Sequence, residues 1–93
     1  MPSYVYLLRC SDGSFYVGSS QDLEQRIKAH NDGKATNYTR SRRPVILVYS
    51  EKWESKITAI RRERQIKKWS RSKKEALVSG DRERLKKLSK SRG

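Results

Sequence analysis

Tyr4-Val5-Tyr6-Leu7-Leu8-Arg9-Cys10, then Ser11-Asp12-Gly13-Ser14, then Phe15-Tyr16-Val17-Gly18, is the stretch that decides the fold. Two runs rich in aromatic and branched residues flank an Asp-Gly turn, which predicts a β-hairpin. In the first run Tyr4, Tyr6, Leu8 and Cys10 share one face of a strand, and Val5, Leu7 and Arg9 share the other. Both faces are largely apolar, so something must cover each.

Outward from the hairpin, residues 21–33 read as a helix. Asp22 is a cap with Gln25 three residues on, Leu23 and Ile27 are spaced to pack on a sheet, and Asn31-Asp32-Gly33 is a stop. Residues 34–44 are polar and basic and read as a loop. Val45-Ile46-Leu47-Val48-Tyr49 is an unbroken apolar run and is expected to form a central, well-buried strand. Residues 56–69 form the next helix, with Ile57, Ala59, Ile60, Ile66 and Trp69 taken as its apolar side. Ser72-Lys73-Lys74-Glu75 looks like a capping box for a short helix ending at Gly80, and Asp81 can cap a last basic helix carrying Leu85 and Leu88. The order β-β-α-β-α plus a helical tail implies an α+β domain with a small, mainly antiparallel three-stranded sheet flanked by helices. The expected division is a folded domain over residues 1–80 and a basic helical tail over 81–93 that frays at its end.

The chain has 93 residues, which suits one domain, and 33% of them are hydrophobic. Its 23 Lys and Arg against 10 Asp and Glu give a formal net charge of +13. The excess is uneven: residues 61–93 hold 14 basic and 4 acidic side chains, a net of +10. Such a field calls for a polyanion, because each cation set on a phosphate releases a condensed counterion. An anionic membrane would need an amphipathic helix with bulky apolar residues on one face, and the last third offers too few. Nucleic acid is therefore the expected partner, and no membrane is. Cys10 is the single cysteine, which excludes a disulfide within the chain and a Cys-based zinc site. It reads as a small core residue. Without a leader or a membrane-length apolar stretch, cytoplasmic residence is the expectation.

Several polar residues stand where chemistry can use them. Glu63 lies on or beside the face that the second long helix should bury, and a carboxylate there needs a cationic partner or a metal. Arg26 and His30, four apart, project from one side of the first helix. Arg26 is a planar donor suited to phosphate, and His30 is the only histidine. Tyr6 and Tyr16 should be neighbours in the hairpin, and Gly18 close by marks an approach by another group. From position alone, Glu63 is as readily a salt bridge as a ligand, whereas a lone His such as His30 near a helix end is more often a surface or capping residue than a catalyst. Paired glycosidase carboxylates, a Gly-rich phosphate loop and a His cluster are absent.

Taken in order, these residues resemble the GIY-YIG nuclease superfamily, in its small stand-alone bacterial branch. Tyr4-Val5-Tyr6 matches the first signature triplet and Tyr16-Val17-Gly18 the second. Arg26, His30 and Glu63 follow at family-like positions, as do Asn37-Tyr38-Thr39 and Arg43-Pro44. The resemblance spans about residues 3–78. Tyr4 departs from it by replacing the first glycine, and Val replaces Ile in both triplets.

The resemblance implies hydrolysis of phosphodiester bonds, in DNA more than RNA, with one divalent cation, Mg²⁺ or Mn²⁺. Glu63 would hold that cation, which keeps several waters and takes up phosphate oxygens. Tyr16 would be general base for the attacking water, although a phenol with a reference pKa of about 10 needs help from neighbours or the metal. Arg26 would stabilise charge on the phosphate. Tyr6 and His30 would orient water and phosphate, with His30 a proton shuttle. Gly18, Lys67, Tyr38 and Arg43 would contact substrate. The alternative is a basic nucleic-acid-binding module without catalysis, for which the +10 tail suffices and the convergence of the polar residues is unnecessary. With no zinc finger or helix-turn-helix, the chain should read phosphates and shape, leaving selectivity to an unidentified protein partner.

Overall fold

A computed structural model describes residues 2–90, Lys90 by its backbone alone. The elements are β1 (Ser3–Arg9), β2 (Phe15–Ser20), α1 (Leu23–Asn31), α2 (Asn37–Arg40), β3 (Ile46–Trp53), α3 (Lys56–Lys67), α4 (Arg71–Ser79) and α5 (Arg82–Lys90). The three strands form one antiparallel sheet in the order β2-β1-β3. The α+β architecture expected from the hairpin and helix signals is the one observed.

The central strand is β1, because it alone has a strand on each side and helices over both faces. Val5, Leu7 and Val17 join Ala59, Ile66 and Leu77 in a core beneath α3 and α4. Tyr6, Leu8, Cys10 and Val45 form the other core, with Leu23 and Ile27 of α1 against it. Val5, Tyr6, Leu7 and Leu8 are all at most 1% exposed. Each apolar side chain so buried contributes about 1.5–3 kcal/mol relative to leaving it in water. One short strand therefore anchors both layers.

β3 corrects an expectation. Its apolar run suggested a central, buried strand, yet it lies at the sheet edge with Ile46 63% and Leu47 37% exposed. The strand also runs past Tyr49 through polar Ser50, Glu51 and Lys52 to Trp53, and a register shift opposite Leu7 and Leu8 interrupts its pairing. An unbroken apolar run cannot by itself distinguish a doubly covered strand from an edge.

α3 brings a second correction. Ile57 is 65% exposed, whereas Ala59 and Ile66 are fully buried. At about 100° per residue, 59 and 66 share a face and 57 points nearly away from it. The next helix starts at Arg71, earlier than Ser72 suggested, and its cap is Ser70, whose side chain accepts from the Lys73 amide. Gly80 ends it in the left-handed conformation at φ 75°. Asp81 accepts from the Arg84 amide at 3.0 Å and starts α5, whose Leu85 packs on the first core. The expected fraying of the tail falls partly on residues 91–93, which lie outside the described residues.

The segment read as a loop contains the single-turn helix α2, capped by Thr36. After it, Asn31 fastens the end of α1 to the start of β3. Its amide donates to the Val45 carbonyl at 3.0 Å, and its carbonyl accepts from the Val45 amide at 2.8 Å. A side chain thus supplies both hydrogen bonds that a neighbouring strand would give. Asn31→Ala is expected to lower the free energy of unfolding by about 1–3 kcal/mol, since buried Val45 loses both partners. Urea unfolding measures it, and a loss below about 0.5 kcal/mol would mean water replaces the amide.

Candidate active site

The hairpin register sets Tyr6 opposite Gly18 and Leu8 opposite Tyr16, so both tyrosines lie on the α1 side of the sheet. Their ring centres are 6.5 Å apart. Gly18 is required by this approach: a Cβ there would fall 2.5 Å from the Tyr6 hydroxyl oxygen and 2.6 Å from Cζ. α1, held down by Leu23 and Ile27, brings His30 over the same spot.

His30 is fully buried. Its Nε2 is 2.9 Å from the Tyr6 hydroxyl, and its Nδ1 is 2.7 Å from Thr39 Oγ1. Thr39, also fully buried, lies 2.9 Å from Thr36 Oγ1 and can donate to the Thr36 carbonyl at 3.5 Å. One arrangement satisfies each group: Tyr6 donates to Nε2, Nδ1–H donates to Thr39, and Thr39 donates onward. This needs neutral imidazole. Burial first, and the charge of Arg26 second, lower the His30 pKa below the ordinary histidine value. Burial also pushes the Tyr6 hydroxyl up to about 12, with Tyr16 adding to the rise, Arg26 opposing it and Glu63 raising it further. Tyr6 is therefore a protonated donor at neutral pH.

The Tyr16 ring meets His30 edge-on at 5.0 Å and lies 6.0 Å from Tyr38. Among the described residues nothing hydrogen-bonds its hydroxyl. Arg26 is exposed, and no carboxylate pairs with it among the described residues. A phenol and a guanidinium thus stand open to an incoming group on one side of the cluster.

Glu63 comes from the other layer. α3 packs Ala59 and Ile66 under the sheet, which leaves Glu63 beside the outer strand β2. One oxygen accepts from Ser19 Oγ at 2.5 Å, and the other pairs with Lys67 Nζ at 2.7 Å. The carboxylate side chain is 17% exposed and Lys67 49%. Ser19 follows Gly18 on β2, so this bond holds Glu63 one residue along from the tyrosine cluster, on the α3 face of the sheet. Of the two sequence-level alternatives for Glu63, the salt bridge is the one present, made to Lys67. Among the described residues no three His, Cys, Asp or Glu side chains group to cage a metal. A lone carboxylate of this kind can serve only a hard divalent cation that keeps most of its waters.

The four expected substrate contacts separate. Gly18 lies within the cluster and Lys67 at Glu63. Tyr38 extends the aromatic row, its hydroxyl donating to Ser14 Oγ at 2.7 Å. Arg43 is engaged elsewhere, packed on Gly33 and donating to the carbonyls of Arg40 at 2.9 Å and Asn31 at 3.5 Å. Its neighbour Arg42 is the one at the tyrosines, 3.9 Å over the Tyr38 ring and paired with Asp12 at 3.0 Å. Sequence reasoning missed Arg42, Ser19, Thr36 and Thr39. Strand alternation alone turns Ser19 to the α3 side, and the Thr36–Thr39 spacing suits a cap. Nothing local distinguishes Arg42 from Arg43.

Residues 2–76 match the family of the GIY-YIG catalytic domain. The UPF0213 protein SSP2268 of Staphylococcus saprophyticus is 49% identical over 76 residues, covering 82% of this chain and 93% of that protein. A UPF0213 protein of Staphylococcus aureus is 47% identical over 75 residues, covering 81% and 92%. Among solved structures, the NMR structure of the UPF0213 protein BH0048 from Bacillus halodurans is 49% identical, with a TM-score of 0.56 over 85% of this chain and 84% of that one. That of EF2693 from E. faecalis is 37% identical, with a TM-score of 0.60 over 88% of each. No helix among the described residues is long and apolar enough to cross a membrane.

Two outcomes test this geometry. Because the folded pKa of His30 is depressed, the unfolded chain binds more protons below the ordinary value of about 6.5. The contribution of His30 to stability is present above that pH and is lost as pH falls through the folded value. Urea unfolding at successive pH values should show this decline, and His30→Gln should remove that part of it. Gly18→Ala should cost about 1–3 kcal/mol through overpacking against Tyr6, and an unchanged melting temperature would refute the close approach.

Proposed function

Because the chain belongs to the GIY-YIG catalytic domain family, we propose that it is a metal-dependent endonuclease hydrolysing phosphodiester bonds in nucleic acid, DNA in preference to RNA. The observation that supports this reading is the gathering of Tyr6, Tyr16 and His30 at Gly18, with Arg26 one turn before His30 on α1 and Glu63 held by Ser19, the next residue of β2. A module that only binds has no need of a buried tyrosine–histidine–threonine chain beside a carboxylate.

The two tyrosines take different roles. Tyr6, buried, bonded to His30 and raised to about 12, keeps its proton and orients rather than abstracts. Tyr16, with its hydroxyl unengaged, is the group left to act as general base once deprotonated. It accepts the proton of the attacking water as the new oxygen–phosphorus bond forms and the bond to the leaving oxygen breaks. Arg26 meets the charge gathering on the phosphate oxygens with a guanidinium that no carboxylate among the described residues neutralises. His30 has both ring nitrogens committed and fixes Tyr6, so positioning suits it better than shuttling protons with solvent.

Glu63 is the residue to hold Mg²⁺ or Mn²⁺. Such a cation supplies Lewis-acid charge to the phosphate oxygens. Lys67 neutralises Glu63 here; with a cation held by that carboxylate, Lys67 would be free to meet the phosphate backbone. With contacts dominated by cations, recognition reads phosphates and shape, and site selection falls to a protein partner.

A panel of duplex, branched and single-stranded DNA and RNA incubated with Mg²⁺ or Mn²⁺ tests this reading. Cleavage is expected, chelation should stop it, and Glu63→Gln should lower its rate by at least about 10²-fold while binding persists. Tyr16→Phe should lose activity comparably. Undiminished cleavage by the Glu63 variant would remove the proposed mechanism.

A further inference from the structure

α3 has a second functional flank. At about 100° per residue, Glu63 and Lys67 lie on one side of the helix and Arg62 and Gln65 on the other, with Trp69, just past the helix end, beside Arg62. Between them, on the outward face, are Arg61, Arg64 and Lys68, all exposed. The far flank opens into a groove of about 760 Å³ between α3, α4 and α5. Lys73, Arg82 and Lys86 line it with Arg62 and Trp69, and no carboxylate does.

Lys73 is the unusual member. It is a lysine only 8% exposed, with its Nζ 4.2 Å from the centre of the Trp69 ring. No carboxylate pairs with it among the described residues. The Arg62 guanidinium approaches the same ring at 5.1 Å, held by Glu51 at 2.8 Å, so that wall is fixed in place. Arg82 and Lys86 face it from α5, exposed and without an ion pair among the described residues. Placing a lysine this deep without a counterion is costly unless an anion comes to it.

We infer that this groove is a second seat for nucleic-acid backbone, reached from the Glu63 side across the basic outward face of α3. The inference rests on nucleic acid being the substrate and adds where its flanking phosphates go. The band from Lys67 through Arg64, Lys68 and Arg61 to the groove presents cations without interruption. A single polyanion can follow it, whereas an isolated small anion would need only one end. Trp69 serves as the apolar floor that holds Lys73 raised toward the groove.

The test uses the full chain carrying Glu63→Gln, so that DNA binds without being cut. Affinity for a long duplex is measured across salt concentrations, with and without the added pair Arg82→Ala and Lys86→Ala. Both positions are exposed, and circular dichroism confirms the fold. The pair should weaken binding by about tenfold and make the logarithmic salt dependence shallower by about 1.8, the value for two lost phosphate contacts. In a Trp53→Phe background, Trp69 is the only tryptophan, and its fluorescence should change on DNA addition only when Arg82 and Lys86 are present. Unchanged affinity, slope and fluorescence response overturn the groove while leaving the endonuclease reading intact. Conversely, a wild-type chain that cuts nothing sinks that reading, and the binding test still decides the groove.

Discussion

The site depends on one contact: the Tyr6 hydroxyl pressed between Gly18 and His30. Tyr6 stands on the only strand with neighbours on both sides, so its backbone cannot shift without disturbing both pairings. Its hydroxyl oxygen would sit 2.5 Å from any Cβ at position 18 and sits 2.9 Å from His30 Nε2. That contact fixes the rotation of α1 about its axis, because a buried imidazole with two committed nitrogens has one orientation. Arg26, one turn earlier, is aimed by the same constraint. The relay from His30 to Thr39 then holds α2 and, with it, Tyr38 and Arg42 beside Tyr16.

The second layer is fixed more loosely. Glu63 is set by the packing of Ala59 and Ile66 under β1 and by one hydrogen bond from Ser19. The rigid half of the site is therefore the aromatic half, and the half that holds the exchangeable charge is more exposed. This division suits the proposed chemistry: orienting groups must not move, whereas a carboxylate that would trade Lys67 for a metal cation needs some freedom.

Much of the fold was legible in the sequence where local chemistry and packing agree. The Asp-Gly turn, the Asp22 cap, the Asn31-Asp32-Gly33 stop and the two faces of β1 are decided within a few residues. Failures came where tertiary context decides. β3 was read as central because Val45–Tyr49 is apolar, but the strand with more to bury was β1. Ile57 was counted in the core because isoleucine is apolar, although its angular position faces solvent. In the candidate site, the nearness of Tyr6 and Tyr16 followed from the hairpin, and the shared side of Arg26 and His30 from helical spacing. The hydroxyl partners Ser19 and Thr39 were not foreseen, since a serine or threonine carries no mark of its long-range contact. The exchange of Arg42 for Arg43 at the tyrosines carries no local mark, since the two are adjacent arginines in one basic run.

Charge ties stability to function. Of the 10 acidic residues, Asp12, Asp32, Glu51, Glu63 and Glu75 are in ion pairs and Asp22 and Asp81 cap helices. Seven of the ten acidic residues are thus used in holding the fold, and most cations among the described residues pair with no carboxylate. Their mutual repulsion opposes a compact state in so small a domain. The excess could have been trimmed on any exposed helix face, yet it concentrates on α3 and after it, along the flanks that border Glu63 and Trp69. A polyanion lying there relieves the repulsion and favours the native state over the unfolded one by mass action. On the proposed reading, the field that opposes compaction in the free domain would also draw nucleic acid to it, giving both effects a common physical origin.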